Sequence, residues 1–128
     1  MHSNIDSDST LISVVIPCYR QAHFLISCIS SLQAQTYPHW EAIIVNDGSP
    51  DNTADVVATL RTADRRIRYV EKINGGLSSA RNAGIGLARG KWMQFLDADD
   101  LLLPTKFSTD LTFFSTKPYN TLVVSDYV

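Results

Sequence analysis

From residue 11 onward the hydrophobic positions switch repeatedly between two spacings. Leu11-Ile12-Ser13-Val14-Val15-Ile16 is a β-branched apolar run closed by Pro17, which predicts a buried strand. Phe24, Leu25, Cys28, Ile29 and Leu32 then recur along one helical face that ends ahead of Tyr37-Pro38. Residues 40–45 predict a second strand, stopped by Asn46-Asp47-Gly48-Ser49-Pro50, and Val56, Val57 and Leu60 predict a second helix. Residues 67–70 predict a third strand, followed by a turn at Asn74-Gly75-Gly76. Ala80, Ala83, Gly84 and Leu87 mark a third helix, with Gly90 expected as its C-terminal stop. A fourth strand over residues 92–96 runs into Asp97-Ala98-Asp99-Asp100. Phe107, Leu111 and Phe114 predict a helix over residues 105–115, and Leu122-Val123-Val124 a last strand. Strand–helix alternation with near-continuous apolar strands means an α/β fold: a mostly parallel sheet with helices on both faces. Such sheets bind ligands beyond the carboxyl ends of their strands. The polar clusters of this chain stand there.

Composition narrows the function classes. The 128 residues suit one domain, and 45% apolar content supplies a core. Lys plus Arg is 11 against 13 Asp plus Glu, a net charge of −2, which argues against a general nucleic-acid binder and against a polybasic membrane anchor. Cys18 and Cys28 form no disulfide framework and have no zinc-ligand spacing, so both are expected as buried or half-buried thiols of a reduced protein. The apolar stretches are all shorter than the ~18 residues of a membrane span. Residues 1–10 are polar, lack a signal-peptide pattern and are expected to form a flexible N-terminus, leaving residues 11–128 as the domain.

Three clusters carry candidate chemistry. Pro17-Cys18-Tyr19-Arg20 follows the first strand: Tyr19 is placed to stack on a nucleobase, or is a half-buried Tyr after a strand-ending proline. Asn46-Asp47-Gly48-Ser49 follows the second strand: Asp-Gly is a common turn, and Ser49 or Asp51 can cap the next helix. At a sheet mouth, Asp47 can instead accept a hydrogen bond from a base or a ribose hydroxyl. Asp97-Ala98-Asp99-Asp100 sets three carboxylates within four residues, where they repel one another. Mg²⁺ or Mn²⁺ relieves such repulsion through oxygen ligands shared with phosphates. Helix capping needs one carboxylate, not three, so a metal site accounts for the cluster better. The glycines of Gly84-Ile85-Gly86-Leu87-Ala88-Arg89-Gly90 lie in a helical pattern rather than at a strand-to-helix turn. They are therefore expected to permit helix–sheet packing rather than to bind a dinucleotide.

Together these residues resemble a family. Ser13-Val14-Val15-Ile16-Pro17-Cys18-Tyr19, Ser31-Leu32-Gln33-Ala34-Gln35-Thr36-Tyr37 and Ile44-Val45-Asn46-Asp47-Gly48-Ser49 are similar to the start of family 2 glycosyltransferases. Asn74-Gly75-Gly76-Leu77-Ser78-Ser79-Ala80-Arg81-Asn82-Ala83-Gly84 and Phe95-Leu96-Asp97-Ala98-Asp99-Asp100 continue the resemblance in order, over roughly residues 11–128. The resemblance implies a Rossmann-like GT-A fold and transfer of a sugar, with inversion, from a nucleotide-diphosphate donor to a carbohydrate or lipid-linked acceptor. It implies Pro17 and Tyr19 beside the base, Asp47 bonded to it, Arg81 near the nucleotide, Asp97 at the ribose and metal, and Asp99 on the Mg²⁺ or Mn²⁺. Arg20 departs from it, standing where the family usually has Asn. Family members also run on for about another hundred residues carrying the acceptor site and the general base. The chain is thus expected to be a truncated donor-binding part, cytoplasmic or peripheral to the inner face of a membrane, prone to self-association and without a catalytic base of its own. The competing expectation, a flavodoxin-like receiver module, requires paired acids after the first strand and an Asp after the third. The chain has Pro17-Cys18-Tyr19 and Glu71-Lys72 there.

Overall fold

A computed structural model describes residues 10–114. The elements alternate as β1 (Ile12–Cys18), α1 (Ala22–Gln33), β2 (Trp40–Asp47), α2 (Thr53–Ala63), β3 (Ile67–Lys72), α3 (Leu77–Leu87), β4 (Trp92–Phe95) and α4 (Lys106–Phe114). All strand pairs are parallel, in the order β3-β2-β1-β4. The two central strands β1 and β2 are buried at every residue, as their unbroken apolar runs require.

Alternation along β1 divides the core. Ile12, Val14, Ile16 and Cys18 face the layer built from Leu25, Cys28, Ile29 and Leu32 of α1, Val57 of α2, and Phe107 and Leu111 of α4. Val15 faces the other layer with Ile43, Val45 and Ala80, where α3 packs. The approach of α3 depends on Gly84, since a Cβ there would stand 2.4 Å from Val15 Cγ1. Small residues at this crossing bring the helix down onto the strands.

The architecture follows the expected one, with local corrections. Phe24 is 43% exposed and Ala22 takes the buried place on α1. The next-turn partners Leu25, Cys28, Ile29 and Leu32 already fill the stripe, and Phe24 stacks on His23 instead. Gly90 does not stop α3: the helix ends at Leu87 with Ala88 extended, and Gly90 gives its N–H to Ser13 Oγ at 2.7 Å. A Cβ on Gly90 would meet the Leu11 carbonyl at 2.6 Å, whereas one on Gly86 would touch nothing, so Gly86 has no packing role. The strands β2 and β3 extend two residues beyond their apolar runs, carrying Asn46 and Asp47 into the ladder opposite Glu71 and Lys72. Residues 1–9 and Leu122-Val123-Val124 lie outside the described residues. No helix among the described residues is long and apolar enough to cross a membrane.

A second polar centre lies at the amino ends of the strands. Glu41, second residue of β2, is 3% exposed. It accepts hydrogen bonds from Ser13 Oγ at 2.6 Å, Arg68 Nη1 at 2.9 Å, and the Arg89 backbone N–H at 2.8 Å and guanidinium. Burial works against its charge, but these donors outweigh it and hold its carboxyl below the usual range. It joins β1, β2, β3 and the α3–β4 connection.

Candidate functional site

The chain adds β2 and β3 on one side of β1 and then returns to place β4 on the other. Such a reversal opens a crevice at the carboxyl ends of the strands. A cleft of about 490 Å³ lies there, lined by Pro17, Cys18, Tyr19, Gln21, Asp47, Asn74, Gly76, Leu77, Ala80, Asp97 and Asp99. Pro17, Tyr19, Asp47, Asp97 and Asp99, separated by up to 82 residues in sequence (99 − 17), therefore meet in one place.

Tyr19 is 40% exposed at the mouth, with the Arg20 guanidinium 5.4 Å from its ring centre. Arg20 has φ 58°, the left-handed region that Asn tolerates better than Arg, and its N–H is held by Ser49 Oγ at 2.8 Å. The Asp51 carboxylate then ties the two loops together. It accepts from the Ala22 N–H at the start of α1 and from the Thr53 N–H and hydroxyl at the start of α2. Burial raises the Asp51 carboxyl, but the Ser49 and Thr53 hydroxyls and the two N–H groups overcome this and hold it at about 2. Asp51 thus caps two helices, fulfilling one of the two alternatives for this turn.

Asp47 is 4% exposed, and the protein itself occupies its carboxylate. Oδ1 accepts from Gly75 N–H at 2.9 Å and Lys72 Nζ at 3.1 Å; Oδ2 accepts from Gly76 N–H at 2.9 Å and Asn74 Nδ2 at 3.3 Å. Desolvation raises its carboxyl, but Gly75, Lys72 and Gly76 together hold it below the ordinary value. Gly48 lets the neighbouring turn approach: it has φ 67°, and a Cβ there would lie 2.6 Å from Asn74 N. The Asn74–Gly76 wall of the cleft, read from sequence only as a turn, is built around this carboxylate.

Across the cleft stand Asp97 and Asp99, whose carboxylate oxygens lie with that of Asp100 within 4.8 Å of one another. An all-oxygen, anionic donor set at this spacing fits a hard divalent cation, and it adds Asp100 to the expected pair. Arg81 does not line the cleft; it stands behind Asp97, with Nη2 3.8 Å from Oδ1, and its buried Nε has no hydrogen-bond partner. Beneath the acids, the Cys28 thiol lies 3.8 Å from the Asp97 carbonyl. Burial, then the charges of Asp100, Cys18, Asp99 and Asp97, push it up to about 12, so it stays protonated. Both cysteines are buried and free.

The family model for "Glycosyl transferase family 2" matches residues 13–127. Among curated proteins, the chain is 43% identical over 97 residues to the uncharacterized glycosyltransferase EpsJ of Bacillus subtilis, covering 76% of this chain and 28% of that protein. It is 42% identical over 94 residues to the chondroitin synthase of Pasteurella multocida, covering 73% of this chain and 10% of the synthase. The chain thus spans well under half the length of either relative. Among solved structures, S. aureus TarS 1-349 in complex with UDP superposes with a TM-score of 0.75 at 22% identity, over 90% of this chain and 38% of that one. The mannosyltransferase PcManGT from Pyrobaculum calidifontis, in complex with GDP-Man and Mn²⁺, gives 0.67 at 24% identity, over 71% and 28%. These structural likenesses carry the GT-A fold.

Proposed function

Since the chain belongs to glycosyl transferase family 2, we propose that its cleft binds the nucleoside diphosphate of an activated sugar and forms the donor side of an inverting sugar transfer. One observation carries the reading: Asp97 and Asp99, just past β4 and gathered with Asp100, share a single cleft with Tyr19 and the Asp47-built wall. The PcManGT and TarS structures, which hold GDP-Man with Mn²⁺ and UDP, support it as folds of the same kind. Residues 11–128 are the donor-binding part, and the acceptor is a carbohydrate or a lipid-linked sugar.

In this reading Pro17 and Tyr19 flank the base, the ring supplying a flat apolar surface for stacking. Asp47 serves the nucleotide from the opposite wall. It fixes the Asn74–Gly76 backbone, and its two longest contacts, to Lys72 and Asn74, are the ones a base or ribose donor would replace. Arg81 holds Asp97 toward the ribose and lowers the negative charge that a diphosphate meets on entry. Asp97 and Asp99, with Asp100 beside them, would hold Mg²⁺ or Mn²⁺. When bound, such an ion supplies Lewis-acid stabilisation of charge on the departing diphosphate. Transfer also needs a base within reach of the acceptor hydroxyl, and none of the described carboxylates is assigned that role.

The test is calorimetric titration of UDP and GDP with and without Mn²⁺ into the wild type and Asp99→Asn. The variant is expected to fold as well as the wild type, because neutralising one of three crowded carboxylates relieves repulsion. It should lose the Mn²⁺-dependent part of the affinity. Equal metal-dependent affinity in the variant would remove Asp99 from the site.

A further inference from the structure

The acids lie on a connection without regular structure, residues 96–105, between β4 and α4. Past Leu96, whose N–H still bonds to the Val15 carbonyl at 3.0 Å, its backbone groups have no ladder to join, and three like charges within 4.8 Å push the connection apart. Polar groups along one side of α1 and just past its end meet it at successive points. Cys28 Sγ–H points to the Asp97 carbonyl at 3.8 Å, and Ser31 Oγ accepts from Leu102 N–H at 3.2 Å. Thr36 N–H donates to the Pro104 carbonyl at 2.9 Å. The densest point is Gln35, 7% exposed: its Nε2 donates to the Leu103 carbonyl at 2.6 Å and to Ser31 O at 3.3 Å, while Oε1 accepts from Phe107 N–H at 3.1 Å. That last bond does for the first turn of α4 what an N-cap does, but from another helix. One amide therefore pins the end of the acidic connection and the start of the helix that follows it.

We propose that Gln35 is a positioning residue for donor binding. It holds the connection so that the Asp97, Asp99 and Asp100 carboxylates stay gathered against their own repulsion and meet a divalent cation already in place. The inference rests on the donor-site reading above and adds to it a residue that touches neither nucleotide nor metal. Buried amides with three bonds are rigid supports, and outer supports of metal ligands commonly change metal affinity by roughly tenfold or more when removed.

The experiment compares the wild type with Gln35→Met, which keeps the length and loses all three bonds, and with Gln33→Met. Gln33 lies two residues earlier and exposed, and its amide reaches Asp64, away from the acids. For each protein the ratio of UDP and GDP affinities with and without Mn²⁺ is measured, alongside the melting temperature. Gln35→Met should keep the metal-free affinity and lose roughly tenfold of the Mn²⁺ increment. Gln33→Met should keep both. Should Gln35→Met fail to fold, Ser31→Ala, which removes one support of the same connection, should show a smaller loss of the same increment. A full increment in Gln35→Met, or in Ser31→Ala if that variant must stand in, overturns the inference and leaves the donor site standing. An equal loss in Gln33→Met also overturns it, because the effect would then follow stability alone. Absence of any Mn²⁺ increment in the wild type overturns the donor-site reading and this inference with it.

Discussion

Replacing Asp47 by alanine tests how the cleft is built. The carboxylate receives two backbone N–H groups, one ammonium and one side-chain amide. A hydrogen bond to a charged group contributes about 1.5–3 kcal/mol, but the four are not additive. Gly75 and Gly76 are exposed, so water can take over their N–H groups once the carboxylate is gone. Lys72, whose side chain is 22% exposed, loses its ion pair with Asp47. Counting one well-buried charge-assisted bond in full and the others as partly replaced by water gives a loss of roughly 3 kcal/mol. In a chain of this size that corresponds to a fall in melting temperature of about 10 °C. Asp47→Asn, which keeps the acceptor on one oxygen and sets an NH₂ against the remaining donors, should fall about as far. Thermal denaturation followed by circular dichroism reads the stability, and titration with UDP and GDP below the transition reads the cleft. Affinity should drop roughly ten- to a hundredfold whether or not Mn²⁺ is present, because the wall is lost rather than the metal site. A melting temperature within about 2 °C of wild type in Asp47→Ala would refute the reasoning, since no internal staple could then have been removed.

Other substitutions follow the same geometry. Gly84→Ala forces a methyl to 2.4 Å from Val15 Cγ1, and the resulting shift of α3 should cost about 1–3 kcal/mol in chemical denaturation; an unchanged midpoint would mean that the helix rides higher than described. Arg20→Gly relieves a left-handed residue and should raise stability by roughly 1 kcal/mol, the opposite sign to most loop changes. Asp51 and Asp64 are held at about 2, Asp64 chiefly by the Arg66 side chain, below the ordinary Asp value of 3.8. Groups depressed in the folded state add stability that is fully present above the unfolded value and disappears as pH falls through the folded one. Urea midpoints should therefore be flat above about pH 5 and decline between about pH 4 and 2, and a midpoint that rises on acidification would contradict the assignment.

How much of this was legible beforehand depended on the kind of signal. The strands of the sheet were visible because Val14-Val15-Ile16 and Ala42-Ile43-Ile44-Val45 are buried on both faces and need no alternation. The cleft was legible because the fold rule puts polar clusters at carboxyl ends, and three such clusters stood there. Phe24 is misplaced because size and hydrophobicity do not say which side of a stripe has room; the smaller Ala22 is the one buried. The Asp47 network was hidden because its partners are backbone N–H groups of glycines 28 and 29 residues away, which carry no side-chain signature. Glu41 did leave a trace, a lone acid in an otherwise apolar strand, which a buried position obliges to find donors. Gln35 stood in a stretch shared with the family, but its role did not show: an amide just past a helix end looks like a solvated residue until the chain 68 residues on is brought to it.

The Glu41 centre has a consequence for the time course of folding and unfolding. Its bonds close intervals of 28 residues to Ser13, 27 to Arg68 and 48 to Arg89. Each interval must be brought together before the carboxylate gains anything, and the entropic cost of closure grows with length. The three donors arrive from elements that must already be seated beside one another, so the centre locks late, after the strands have paired. Interactions that form after the rate-limiting step leave the folding rate nearly unchanged and slow the reverse reaction. The end of the sheet opposite the cleft is thus expected to act as a latch on lifetime: Glu41→Gln should speed unfolding and leave the folding rate nearly unchanged, and equal slowing of folding in stopped-flow traces would contradict it.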